Sequence, residues 1–74
     1  MIQYVLLEKI QYEGTWILGV VSSLDEALEY LSQIDNIYTK SDDYISYWIE
    51  EWDKTKRLRY YKYNNITHLL ENKN

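Results

Sequence analysis

Apolar and polar positions alternate through two adjacent stretches at the start of the chain, the period-two signature of a half-buried strand. Ile2 to Tyr12 sets Ile2, Tyr4, Leu6 and Ile10 on one side and Val5 and Leu7 on the other. Thr15 to Val21 sets Trp16, Leu18 and Val20 against Ile17 and Val21. Glu13-Gly14 lies between them, and glycine supplies the positive φ that a tight turn requires. Together these segments predict an antiparallel hairpin.

The period then changes. Leu24, Ala27, Leu28, Leu31 and Ile34 recur at helical spacing and form one apolar stripe, with Glu29, Ser32 and Gln33 off it. Ser23-Leu24-Asp25-Glu26 is a capping box: Ser23 caps the helix and Glu26 reaches back. Asp25 and Glu26 also suit the positive end of the helix dipole. The spacing predicts an amphipathic helix from Leu24 to about Ile34.

Asn36 to Asp43 reads as a connecting loop, Tyr44 to Trp52 as a third strand and Arg57 to Tyr63 as a fourth. If Asp53-Lys54-Thr55-Lys56 is a four-residue loop, Trp52 faces Arg57, Glu50 faces Arg59 and Trp48 faces Tyr61. Ile49 then meets Tyr60, and Tyr47 meets Lys62. This register pairs opposite charges and stacks aromatics. Asn65 to Leu70 reads as a short helical turn and Glu71 to Asn74 as a frayed tail. The predicted fold class is α+β: a small ββαββ two-layer domain, with a mostly antiparallel four-stranded sheet and one main helix on one face.

A helix of that length is about 16 Å long and covers one sheet face only, yet both faces are apolar or aromatic. Ile45, Tyr47, Ile49, Leu58 and Tyr60 are expected under the helix. Tyr44, Trp48, Trp52, Arg57, Arg59, Tyr61 and Tyr63 are expected on the open side, where they form the candidate partner-binding set. An apolar patch of that extent marks an interface. Three readings stay open: the C-terminal segment folds back over it or the tyrosines and tryptophans simply tolerate partial exposure, a second copy of the chain covers it, or a foreign partner does. Homodimers built on one shared patch are the commonest oligomers.

Composition narrows the chemistry. The chain has 74 residues, enough for one domain over residues 1–74. A chain of this size buries only about 60–65% of its unfolded surface. With no cysteine and one histidine, His68, disulfides, thiolate metal sites and multi-histidine sites are excluded. Gly14 and Gly19 are the only glycines, so glycine-rich phosphate loops are absent. No catalytic set assembles from these parts, and the expectation is a non-enzyme without cofactor or metal. Neither a targeting segment nor an apolar run of membrane-spanning length is visible, which predicts a cytoplasmic protein.

Formal net charge is −4, and its distribution is uneven. Between Asp25 and Asp53 the only basic residue is Lys40, whereas Lys54 to Tyr63 holds Lys54, Lys56, Arg57, Arg59 and Lys62 and no acid. The acidic total disfavours duplex DNA, whose binding neutralises many phosphates, but leaves room for a small anion at an arginine and a ring. Adjacent strand residues point to opposite faces, so Glu50 and Glu51 cannot share one metal site. Nine tyrosines and three tryptophans, with no phenylalanine, suit a surface that is at times wet and at times covered.

Leu18-Gly19-Val20-Val21-Ser22-Ser23-Leu24-Asp25-Glu26-Ala27-Leu28-Glu29-Tyr30-Leu31, preceded by the strand Tyr4-Val5-Leu6-Leu7-Glu8, resembles a group of small bacterial and phage ββαββ domains of unknown function. In these a strand turns directly into a capped helix; Val21 stands where that pattern often carries an aromatic. The resemblance implies the fold, not a site. Separately, the abundance of Ile, Lys, Asn and Tyr suggests an AT-rich bacterial or phage genome. Association by class with tiny, acidic, cofactor-free phage proteins gives the expectation of a phage or accessory bacterial inhibitor that blocks a host protein in the host cytoplasm. The functional expectation is a non-catalytic binding protein, homodimeric, acting on a bacterial protein through its aromatic sheet face and acidic flank. The alternative is a nucleotide-like ligand binder or sponge with a pocket between protomers.

Overall fold

The computed structural model describes residues 1–37, 45–64, 67 and 69–73, with backbone alone at 35–37. Five strands and one helix follow in the order β1 (Ile2–Ile10), β2 (Gly14–Val21), α1 (Leu24–Ile37), β3 (Ile45–Asp53), β4 (Lys56–Asn64) and β5 (Leu69–Asn72). The strands form a single antiparallel sheet in the order β2-β1-β3-β4-β5.

The β1–β2 hairpin closes with Ile10 opposite Gly14. Its turn needs left-handed backbone at Tyr12 (φ 70°) and a φ of 119° at Gly14, a value suited to glycine. In the second hairpin Asp53 pairs with Lys56 across the two-residue turn Lys54-Thr55. There Lys54 takes a φ of 58°, matching the turn to the right-handed twist of its strands.

The α1 start follows the capping pattern with one change. The Glu26 amide donates to Ser23 Oγ at 3.2 Å, while the Glu26 carboxylate accepts from the Ser22 and Ser23 hydroxyls at 2.9 and 3.3 Å. The helix runs on to Ile37, beyond the expected Ile34. Its stripe supplies Ala27 and Leu31, fully buried against Leu6 and Ile49, with Tyr47 and Tyr63 closing the core. Each buried leucine is worth about 1.5–3 kcal/mol, so this layer fixes which side of the sheet faces the helix.

The predicted four-stranded ββαββ two-layer class is corrected. The protein is mostly β, a five-stranded antiparallel sheet with one short helix. Instead of a helical turn and a frayed tail, Leu69 to Asn72 pairs with β4, setting Leu70 opposite Tyr63 and Glu71 opposite Lys62. Pairing satisfies the β4 amides and carbonyls along this stretch and leaves as the edge a short strand of four residues carrying Glu71. Leu69 to Asn72 therefore extends the sheet and does not fold back across its open face. No helix among the described residues is long and apolar enough to cross a membrane.

Candidate functional site

Alternation along the central strand gives the two faces different fates. Leu6 points to the helix and is fully buried. Its neighbour Leu7 points to the open face and is also buried, at 7% exposure. Leu7 lies between Ile17 of β2 and Trp48 of β3. The open face thus carries a small apolar cluster assembled from cross-strand neighbours, and among the described residues no second layer lies over it.

Trp48 stacks on Tyr60 with ring centroids 4.7 Å apart and planes 16° from parallel. The Lys9 ammonium lies 4.1 Å from the centre of the Trp48 ring and 4.9 Å from that of Tyr60, and donates to the Tyr60 hydroxyl. Arg57 lies 4.9 Å over Tyr60, and Lys62 lies 5.8 Å over Trp48. Cations placed over electron-rich rings hold the ring faces in fixed positions. Glu50 accepts from Trp52 Nε1 at 3.0 Å and from Arg57 at 3.2 Å, tying the far end of the cluster. Neither Lys9 nor Lys62 makes an ion pair among the described residues. Beside this rim, Ile17 and Val20 of β2 remain 69% and 54% exposed.

Of the expected partner-binding set, Trp48, Trp52 and Arg57 do share the open face, whereas Tyr44 lies outside the described residues. Arg59, Tyr61 and Tyr63 are displaced to the helix face. Trp52 pairs with Arg57 as expected, but a bulge then leaves Leu58 as an extra residue and Glu51 pairs with Arg59. One inserted residue reverses the facing of everything beyond it. Tyr60, expected in the core, consequently stacks on the open face, while Tyr63 is 4% exposed in the core. Lys9, Tyr60, Lys62, Ile17 and Val20 are the open-face residues that the pattern did not single out. The shift arises at Leu58, close to the Lys54-Thr55 turn, and no sequence pattern marks it.

The displaced residues build a second cluster on the helix face. Glu51, 8% exposed, accepts from the Tyr61 hydroxyl at 3.4 Å and lies 3.9 Å from Arg59. Tyr4 stands opposite Glu51 on β1. Burial, followed by the nearby Glu51 charge, pushes the Tyr4 phenol above the ordinary tyrosine range. Hydrogen bonding to Tyr61 and then the Glu51 charge raise the Arg59 guanidinium further. This group balances a buried carboxylate and ties β1, β3 and β4 together. Among the described residues no three histidine, cysteine, aspartate or glutamate side chains gather in a way that could hold a metal ion. His68, a lone tail histidine in the sequence pattern, lies outside the described residues.

Residues 1–65 match the model of a family described as a domain of unknown function, DUF7336. The chain belongs to the DUF7336 family. The matched segment contains both the open-face cluster and the helix, and β5 lies beyond it. No curated protein and no solved structure matches this DUF7336 chain.

Proposed function

We propose that this DUF7336 protein is a non-catalytic binding protein that docks a protein partner on the open face of its sheet. The observation that carries this reading is the juxtaposition of exposed Ile17 and Val20 with the ordered Trp48–Tyr60 stack and its cations. Protein interfaces combine an apolar centre with a polar rim, and tryptophan, tyrosine and arginine dominate their energetics. Side chains already held in place lose little entropy on binding.

The rim charges favour a partner with acidic groups around an apolar centre. A face-to-face homodimer would set Lys9, Arg57 and Lys62 of one copy against the same cations of the other, so a foreign partner suits the charge pattern better. Association by class with tiny, acidic, cofactor-free phage proteins supplies the finer proposal, an inhibitor that occupies a bacterial host protein in the cytoplasm. Base stacking of a nucleotide-like ligand is less well supported, because Trp48 and Tyr60 spend ring faces on each other and on Lys9.

Affinity capture from extracts of the source organism tests the proposal, comparing the native chain with an Ile17→Glu/Val20→Glu double variant. Both positions are exposed, so circular dichroism is expected to show an unchanged fold. A discrete protein retained by the native chain and lost by the variant supports docking on this face. Identical retention by both chains contradicts it.

A further inference from the structure

Among the described residues the sheet ends on one side in β2, whose outer backbone edge faces no other strand. Natural edge strands are usually kept short or armed with charges, because an open edge templates pairing with another chain. The opposite edge, β5, follows that practice: it has four residues and carries Glu71. By contrast, β2 is eight residues long, Gly-Thr-Trp-Ile-Leu-Gly-Val-Val, without a single charge.

A groove of 230 Å³ adjoins this edge, formed by Val21 of β2 with Glu26, Glu29, Tyr30 and Gln33 of α1. Those helix positions recur at i, i+3, i+4 and i+7, a stripe beside the buried one. A strand added along β2 would place the side chain opposite Val21 on the same face as Val21, towards α1. It would meet two carboxylates and an aromatic ring. Neither Glu26 nor Glu29 has a cationic partner among the described residues, and Leu24–Ile37 contains no lysine or arginine.

We propose that the β2 edge and the α1 flank form a second binding surface, which takes an extended partner segment as a sixth strand and seats its lysine or arginine between Glu26, Glu29 and Tyr30. This is strand addition: backbone hydrogen bonds supply affinity and a side-chain pocket supplies selectivity. Tyr30 adds an aromatic contact for the cation. Charge excludes a second copy as the occupant. Antiparallel pairing of two β2 edges would bring two acidic helices to one side of the joined sheet, and β2 carries no lysine or arginine to seat between Glu26 and Glu29. The surface shares strand β2 with the open-face patch but uses the strand's outer backbone edge and the α1 side, and it would remain if the open face bound nothing.

The test uses acetylated, amidated heptapeptides of alternating valine and threonine, with lysine, glutamine or glutamate at the centre. These are titrated into the isotope-labelled full chain and followed by amide NMR. The lysine peptide is expected to bind saturably, shifting amides of Gly14–Val21 and the first two turns of α1. Its glutamate counterpart should bind about tenfold or more weakly, as should the lysine peptide with a Glu29→Lys chain. A lysine peptide N-methylated along its pairing edge should lose binding, separating strand addition from simple charge attraction. The proposal is overturned by no binding at millimolar peptide, by equal binding of the lysine and glutamate peptides, or by shifts confined to the open face or β5. Glu29 is exposed, and the amide spectrum of the free variant reports directly on its fold.

Discussion

Lys9 sets the character of the open face more than any single aromatic does. Its ammonium bridges Trp48 and Tyr60 and bonds the Tyr60 hydroxyl, turning two rings into one rigid block. Stacked aromatic pairs contribute about 0.5–1.5 kcal/mol beyond their buried area, and exposed cation–π contacts about 0.5–1 kcal/mol. Tyr60→Leu keeps most of the apolar area but removes the stack and the hydroxyl. It is expected to lower unfolding stability by about 1–2 kcal/mol and to shift Trp48 fluorescence to longer wavelength. Unchanged stability and emission would show that the stack contributes nothing to order on this face. The identity of the aromatic residues was legible in the sequence, as was the facing of Trp48 and Trp52. That of Arg59, Tyr61 and Tyr63 was not, because facing along β4 depends on a single extra residue, Leu58. Neither composition nor alternation marks a bulge in a strand whose two sides are equally aromatic.

Elements with a strong local signal are the ones that sequence reveals. The α1 start is fixed by Ser23 and Glu26, and its buried stripe by Ala27 and Leu31, all within one stretch of chain. The register between β1 and β3 is long-range, and β5 is legible only once β4 presents an edge to receive it. Four residues with leucines at adjacent positions fit a helical turn equally well; pairing with β4 decides the matter. The β4–β5 contact also has a titratable clasp. Glu71 accepts from the Asn64 side-chain amide at 3.2 Å and lies 3.4 Å from Lys73. The Asn64 hydrogen bond, then Lys73, holds its carboxyl below the ordinary glutamate range. A depressed folded value means that the clasp is complete above the ordinary carboxylate range and is lost as pH falls through the lowered value. Amide protection in Leu69–Asn72 is therefore expected to decline in acid before protection in β1 and β3. Glu71→Gln should flatten that dependence. Equal acid sensitivity across all strands would contradict the clasp.

Across the whole molecule, charge and exposure are sorted by surface. The open sheet face is aromatic and cationic, with Lys9, Arg57 and Lys62 about the stack. The α1 flank is acidic, and the β2 edge between them is uncharged. A net charge of −4 conceals this division, which explains why composition could disfavour duplex DNA yet could not locate the proposed binding surface. Photo-crosslinking within cells of the source organism asks most directly whether the open face carries the partner. A photoreactive residue placed at Val20 is compared with one at the exposed Thr67, ahead of β5, each with and without Lys9→Glu and Lys62→Glu. A discrete adduct to a foreign protein, formed from Val20 and abolished by the charge reversals, is the predicted result. An adduct formed equally from both positions, or one whose mass is that of two copies of the 9.1 kDa chain, would contradict the account.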